Sequence, residues 1–509
     1  MAALRRCSLV LLLLGTSCAM TAPTTRLGSK PMPPTRNAGL RIASGAALGN
    51  ILQGFNTGVI GGALLYIVPE FNLGARPEIT GLIASSTTMG ATLGTLACGK
   101  LLSDVGRQRT LAISCALFLI GGGLMGWSPT TTTLIAGRVV SGIAAGIVSA
   151  AVPTYIAECA EPSQRGALST LPQLCVSSGI LISYLVGLAA LLLGGSWRAM
   201  LGFSLLPACA QAACVLSLPE SPRWLLSQRK DTPRAQEALQ RLRGTTDVKA
   251  ELAELKEGLE KEEKARAAAA KAAPSSGGGG FRAIVRNPQT RRALLVCSSL
   301  QLFQQFCGVN AIVYFTPQIL KQAGAPSLFT SRFGVSTDTA AMLATVLAYL
   351  PKIPSVLLAS YLIDRKGRRW MLQAFVPPLA LCLALLAATV GAAGAAATTA
   401  LSAAVAMAAV TLFGIFFGMS LGPLPNILAA ELFPTAVRGA GVATTTTVQW
   451  VSNMLVAALF PVAAARLGMT SVLYGFSAVC VLAWLVVALF VPETKGISLE
   501  EISGAKDTK

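Results

Sequence analysis

Glu158-Cys-Ala-Glu-Pro-Ser-Gln-Arg165-Gly166 recurs further down the chain as Glu431-Leu-Phe-Pro-Thr-Ala-Val-Arg438-Gly439. Pro219-Glu220 likewise recurs as Pro492-Glu493. From 158 to 431, 165 to 438 and 219 to 492 the spacing is 273 residues each time. Chance supplies one such match, whereas three at a shared offset mark a duplicated unit. A looser pair, Asp104-Val-Gly-Arg-Gln-Arg109 and Asp364-Arg-Lys-Gly-Arg-Arg369, repeats in the same order.

The residues around these pairs are apolar. Of 509 residues, 53% are hydrophobic and 12% charged; a soluble domain carries about 25% charged residues. Apolar stretches at 42–68, 79–102, 110–127, 132–156, 168–193 and 199–218 precede a polar segment, and those at 292–320, 339–363, 371–393, 400–430, 441–465 and 470–491 follow it. Each can cross a bilayer core as a helix. The expected fold is an all-α membrane protein of 12 transmembrane helices in two six-helix halves, with cytosolic helices between them. The expected divisions are a presequence 1–41, halves 42–218 and 291–491, a central loop 219–290 and a tail 492–509. Pro233 to Lys271 reads as one long charge-mixed helix, and Ala273 to Gly280 as a flexible linker.

Basic residues orient the chain. Arg107, Arg109, Arg165, Arg365, Lys366, Arg368, Arg369 and Arg438 all fall in loops on one side, as do both ends of the central loop. Positive-inside bias places that side and both termini in the cytosol or its topological equivalent. The net charge of +19 then reflects these loops rather than nucleic-acid binding. There is no histidine, so imidazole triads, metal sites and pH switches are excluded. The 12 cysteines form no CxxC pair and read as small buried hydrophobes. With no metal cluster, nucleophile–base pair or nucleotide loop, nothing implies an enzyme or a cofactor. Ahead of the first span, Met1 to Ser17 reads as a secretory signal. Thr21 to Ser44 is acid-free, hydroxyl-rich and Arg-bearing like a transit peptide. Together they resemble a bipartite presequence directing the chain to a plastid envelope; an uncleaved tail on a plasma-membrane protein is the alternative.

Gln304-Gln305-Phe-Cys-Gly-Val-Asn310-Ala-Ile-Val-Tyr314 sets three amides and a phenol in an apolar span. An amide facing lipid without a partner costs several kcal/mol, so these must face the bundle interior or water. Such amides serve either as glue between helices or as donors and acceptors for a hydroxyl-rich ligand. With Pro219-Glu-Ser-Pro-Arg223-Trp, Pro492-Glu-Thr-Lys-Gly496, Gly137-Arg138, Gly422-Pro-Leu-Pro425 and Glu431-Leu-Phe-Pro434, they resemble the sugar porters of the major facilitator superfamily, from about Gly45 to Ile502. The resemblance implies transport of a small-molecule sugar, a hexose such as glucose by default, across a lipid bilayer by alternating access, with no obligate protein partner. It implies sugar contacts from Gln173, Gln304, Gln305, Asn310 and Tyr314, and from Gln449, Trp450 and Asn453 in span eleven. Gln53 and Asn56 fall near the same place on span one. Two positions depart from the family. Asn426 stands where many members have Trp, a Trp that the plastidic branch also lacks. Lys352 stands where most have Asn, twelve residues or about 18 Å along a helix before Asp364. Lys352 fits a sugar or anion contact, or a neutral or snorkelling lysine beside Pro351 and Pro354.

Proton-coupled members carry Asp at the position held here by Asn56, in Gly54-Phe-Asn56-Thr-Gly-Val. An amide carries no proton at physiological pH, and there is no Asp or Glu at 105–157, 162–219, 264–337, 339–363, 365–430 or 432–492. Facilitated diffusion is therefore expected, with proton symport through Lys352 as the alternative and a non-transporting sugar sensor behind it. The resemblance also implies a cytosolic gate built from Arg107, Arg109, Glu158, Arg165, Arg365, Arg368, Arg369, Glu431 and Arg438. Arg138, inside span four, is expected to bond neighbouring helices or carbonyls.

Overall fold

A computed structural model describes residues 38–161, 168, 170–272, 281–394, 399–434 and 437–494. Every element among them is helical. The reason is the solvent: in hydrocarbon the backbone has no water to bond, so each apolar stretch satisfies its own N–H and C=O groups. The first half comprises α1 (Ala38–Glu70), α2 (Pro77–Asp104), α3 (Arg107–Gly126), α4 (Thr131–Cys159), α5 (Leu171–Leu193) and α6 (Trp197–Ser217). The second comprises α7 (Pro288–Phe306 and Val309–Gln322), α8 (Thr337–Tyr349 and Lys352–Lys366) and α9 (Arg368–Gly394), then α10 (Ala400–Met419 and Leu424–Leu432), α11 (Arg438–Leu467) and α12 (Met469–Phe490). Ten of the twelve are long and apolar enough to cross a membrane on those grounds alone. The others, α2 and the broken α7, are placed by packing: α2 lies against α4 and α11, and α7 against α1 and α11.

Two expectations change. Span seven is interrupted: Cys307 and Gly308 part its segments, with Gly308 in the left-handed region at φ 83°. The expected helix from Pro233 to Lys271 is two helices, Thr232–Arg243 and Lys249–Ala272. Gly244, at φ 67°, closes the first of them, as glycine commonly does after a helix. The first of these helices packs Ala235, Ala238 and Leu239 against Trp224, Leu225, Val248 and Leu252. Arg243 then ties it to the membrane domain by donating to Cys159 O at 2.9 Å while pairing with Glu251 at 2.6 Å. The expected presequence and the Ala273–Gly280 linker lie outside the described residues. Ten cysteines among the described residues are free thiols, most of them buried.

The halves meet through α2 on α11, α1 on α7 and α5 on α8. These contacts concentrate away from the basic loops. Tyr184 Oη donates to Val313 O at 2.7 Å across the halves. At Gly81 a Cβ would sit 2.1 Å from Ala458 O. The extracellular side, or its equivalent, is thus closed, with α2 and α11 in backbone contact. Arg138 is fully buried and bonds α2 through Ile83 O at 2.7 Å and Ala84 O at 3.4 Å, as its position in an apolar span requires.

Candidate functional site

The amides of the second half form one hydrogen-bonded chain. Asn310 Nδ2 donates to Gln305 Oε1, Gln305 Nε2 to Gln304 Oε1 at 2.8 Å, and Gln449 Nε2 to the same oxygen at 3.0 Å. Gln304 Nε2 in turn donates to Leu421 O at 2.7 Å and Gly422 O at 2.8 Å. The reason lies in α10. Pro425 has no N–H to give the carbonyl four residues back, so the break between Met419 and Leu424 leaves Leu421 O without its helical donor. Gln304 replaces that donor, so its amide hydrogens are already engaged.

Capacity for a ligand therefore falls to the neighbours. Gln305, Asn310 and Gln449 each keep an amide hydrogen or a carbonyl lone pair beyond the bonds above. Asn453 is buried with its Oδ1 unpartnered. Trp450 and Gln449 are half-buried, while Gln173 and Asn426 are exposed. Amides exposed on helices in hydrocarbon are costly, so Gln173 and Asn426 face water. Exposure thus grades from buried Asn310 and Tyr314 to exposed Gln173 and Asn426. Asn426 Oδ1 accepts from Gln301 Nε2 at 2.8 Å.

On α1, Asn56 is buried and donates to Leu52 O of its own helix at 3.0 Å, and Gln53 accepts from Asn50 at 3.1 Å. Lys352 does not join the amide chain. It begins the second segment of α8 and lines a recess with Tyr184, Val309, Ile312, Val313, Thr345 and Tyr349, the α7 residues among them flanking Asn310.

The cytosolic charges form two matching sets, each inside one half. Arg107 grips Glu158 with Nε at 2.8 Å and Nη2 at 2.7 Å, and Ser221 Oγ donates to the same carboxylate. Arg368 donates to Glu431 from Nη2 at 2.8 Å and Nε at 3.1 Å, and Thr494 Oγ1 donates to it at 2.6 Å. Behind each pair a second carboxylate caps a helix. Glu220 accepts from the backbone N–H of Arg107 at 2.8 Å and of Gln108 at 3.1 Å; Glu493 accepts from those of Arg368 at 2.9 Å and Arg369 at 3.1 Å. Gly106 and Gly367 make room, since a Cβ there would lie 2.5 Å and 2.6 Å from the Glu220 and Glu493 carboxylates. Their φ values, 106° and 92°, also suit glycine. A carboxylate at a helix N-terminus satisfies otherwise orphaned N–H groups and complements the helix dipole.

Of the other expected gate residues, Arg369 Nη2 bonds Ala488 O at 2.8 Å and Arg438 Nε bonds Phe433 O at 3.2 Å. Arg109 is exposed, and Arg365 stacks on Tyr361 at 4.3 Å. Arg165 lies outside the described residues. Several residues escaped the sequence reading. Glu220 and Glu493 were visible in repeated motifs, and the glycine before each paired arginine was the signal of their capping role. Gln301, three residues before Gln304 on the same helical face, pointed to the Asn426 contact. Nothing in the sequence singled out Tyr184 or Tyr349.

Two pseudo-equivalent six-helix halves, with a chain of buried amides in the second, define a membrane carrier of the major facilitator class. A family profile described as "Sugar (and other) transporter" matches residues 42–505. The chain belongs to that family: it is a multi-pass sugar porter and not an enzyme. It is 33% identical to the Plastidic glucose transporter 4 of Arabidopsis thaliana over 457 residues, covering 90% of this chain and 78% of that protein. It is also 33% identical to the Galactose-proton symporter of Escherichia coli (strain K12) over 462 residues, covering 90% and 92%. Its structure matches the partially occluded inward open conformation of the xylose transporter XylE from E. coli with a TM-score of 0.73 and 25% identity, covering 91% of this chain and all of that one. The close approach of α2 and α11 at the extracellular side agrees with that conformation.

Proposed function

We propose that the protein carries a hexose, glucose first, down its gradient by alternating access, without proton coupling. The observation that carries the reading is chemical. The set Gln173, Gln305, Asn310, Gln449, Trp450 and Asn453 offers uncharged donors, acceptors and one indole. The spans supply no carboxylate that could relay a proton, and Asn56 stands where coupled relatives of the family carry an acid. Neutral hydroxyls match neutral amides, and an indole covers the apolar face of a pyranose. Gln304 and Tyr314 support this site from behind. The paired charges at the cytosolic ends hold each half as a unit while the halves rock, and with Arg109, Arg165, Arg365, Arg369 and Arg438 they bias the cytosolic gate. The acid-free leader and the plastidic relative support a plastid envelope as the membrane.

Reconstituted into liposomes and loaded with labelled glucose, the protein is expected to show counterflow that ignores an imposed proton gradient. Proton-coupled transport is the second reading, favoured by the buried ammonium of Lys352 and by the galactose-proton symporter among the relatives. Glucose accumulation above equilibrium, abolished by an uncoupler, would establish it instead.

A further inference from the structure

We propose that Tyr184 is a positioning residue whose hydroxyl latches the second segment of α7 onto the first half and so holds the extracellular side closed. The need for a latch lies in the sequence of that segment. Pro317 stands inside Val309–Gln322. A proline in a helix has no N–H for the carbonyl four residues back, and here that carbonyl belongs to Val313. Tyr184 Oη, from α5 in the other half, donates to Val313 O at 2.7 Å. Both residues are buried, Tyr184 at 1% exposure and Val313 at 5%. A Cβ at Gly61 of α1 would lie 3.4 Å from the same oxygen and 3.1 Å from Tyr314 O. With α1 packed over it, Val313 O depends on the phenol for the donor that Pro317 lacks.

The bond exists only while the halves are together on that side. Tyr184 is carried by the first half and Val313 by the second. Opening the extracellular side parts them and gives both groups to water, where each finds a partner. The bond therefore favours the closed arrangement, and losing the hydroxyl leaves a buried carbonyl unpartnered in that arrangement alone. Val313 also lies between Asn310 and Tyr314 on one helical segment. Tyr184 thus positions the segment that carries two of the proposed sugar contacts without giving its own proton to a sugar. A second tie of this segment to α1, from Gln318 Nε2 to Gly61 O, is 3.5 Å long and is the weaker of the two. The Tyr184 ring meets that of Tyr349 in α8 edge-on, with centroids 5.3 Å apart, a contact that phenylalanine would keep. The proposal rests on alternating access by a sugar porter, and it holds for a uniporter and a proton symporter alike.

The test needs no sugar. Spin labels at exposed Glu78 and Gln322, in a cysteine-depleted variant of the full chain in bilayers, report the separation of α2 from the end of α7. Tyr184→Phe is expected to raise the ratio of long to short distances by about 3- to 20-fold, the worth of one interhelical hydrogen bond in a membrane protein. Pro317→Ala gives Val313 O a helical donor again. In that background Tyr184→Phe should change the ratio by about 2-fold or less. A tyrosine that only packs would show no such dependence on residue 317. Native distances in Tyr184→Phe, with or without a fall in thermal stability, would overturn the proposal. So would an equal effect of Tyr184→Phe in the presence and absence of Pro317. If Pro317→Ala fails to fold, the distance ratio of Tyr184→Phe decides alone. Failure of glucose counterflow in the unaltered protein would sink the preceding reading while leaving these distances to judge this one.

Discussion

Gly81 is the sharpest point at which the alternating-access reading can be broken. It lies near the extracellular end of α2, pressed on α11, and an added Cβ would stand 2.1 Å from Ala458 O and 3.0 Å from its carbonyl carbon. Carbon–oxygen contacts settle at about 3.3–3.6 Å, so even alanine forces the two helices apart by about 1.2 Å. Overpacking of this kind costs about 1–3 kcal/mol. The cost falls only on the state in which the extracellular side is closed, so it moves the equilibrium between faces by about 5- to 150-fold toward outward-open. Gly81→Leu lengthens the intrusion and should all but lock the protein in that state. Spin labels replacing exposed Glu78 and Arg466, in a cysteine-depleted background, would report the separation of the two helix ends in bilayers. The expected result is a longer distance and slowed glucose counterflow, with glucose binding retained. A Gly81→Leu protein with native label distance and native counterflow would refute the reasoning, and so would one that loses binding together with flux.

Asn56→Asp should make counterflow depend on pH, because it supplies the proton carrier that the spans lack; flux insensitive to pH across the titration range of a carboxylate would show that position 56 does not decide coupling. Glu431→Gln should slow counterflow while glucose affinity holds, since Arg368 and Thr494 lose a charged partner worth about 1.5–3 kcal/mol per bond; equal loss of rate and affinity, measured by counterflow and ligand-quenched fluorescence, would remove it from the gate. Gln304→Leu orphans Leu421 O and should cost stability, about 1–3 kcal/mol in a denaturation series, whereas Gln305→Leu should weaken glucose binding by about tenfold. If the two variants proved interchangeable in both assays, the division of labour between the two amides would fall.

The legible parts of the sequence were those set by solvent and repetition. Apolar stretches marked the helices, ten of them long and apolar enough to cross a membrane on those grounds alone, and the 273-residue offset paired the halves. The interruptions were harder. Gly308 breaks α7 where the Phe476 ring of α12 presses on it, a contact 168 positions away that no local pattern announces. Pro425 announced a missing N–H, yet the residue that replaces it, Gln304, is 121 positions earlier, and no local pattern links them. For the same reason Gln304 reads from sequence as a sugar contact, while its hydrogens prove to be spent on α10. Lys352 was conspicuous as a charge in an apolar run, but that it packs its ammonium over the Tyr349 and Phe417 rings needed the fold. Glu158 and Glu431 were visible as repeated acids; that Arg107 and Arg368 answer them within each half needed the fold.

The paired caps at Glu220 and Glu493 also bear on how such a molecule assembles. Each acid follows the sixth helix of its half and returns to seal the start of the third. Both backbone N–H donors to each acid come from its own half. Each repeat therefore carries its own closure at its trailing edge. A polypeptide severed between Arg243 and Lys249 would keep both closures, so two separately made fragments retain the local instructions to find their shapes and then each other.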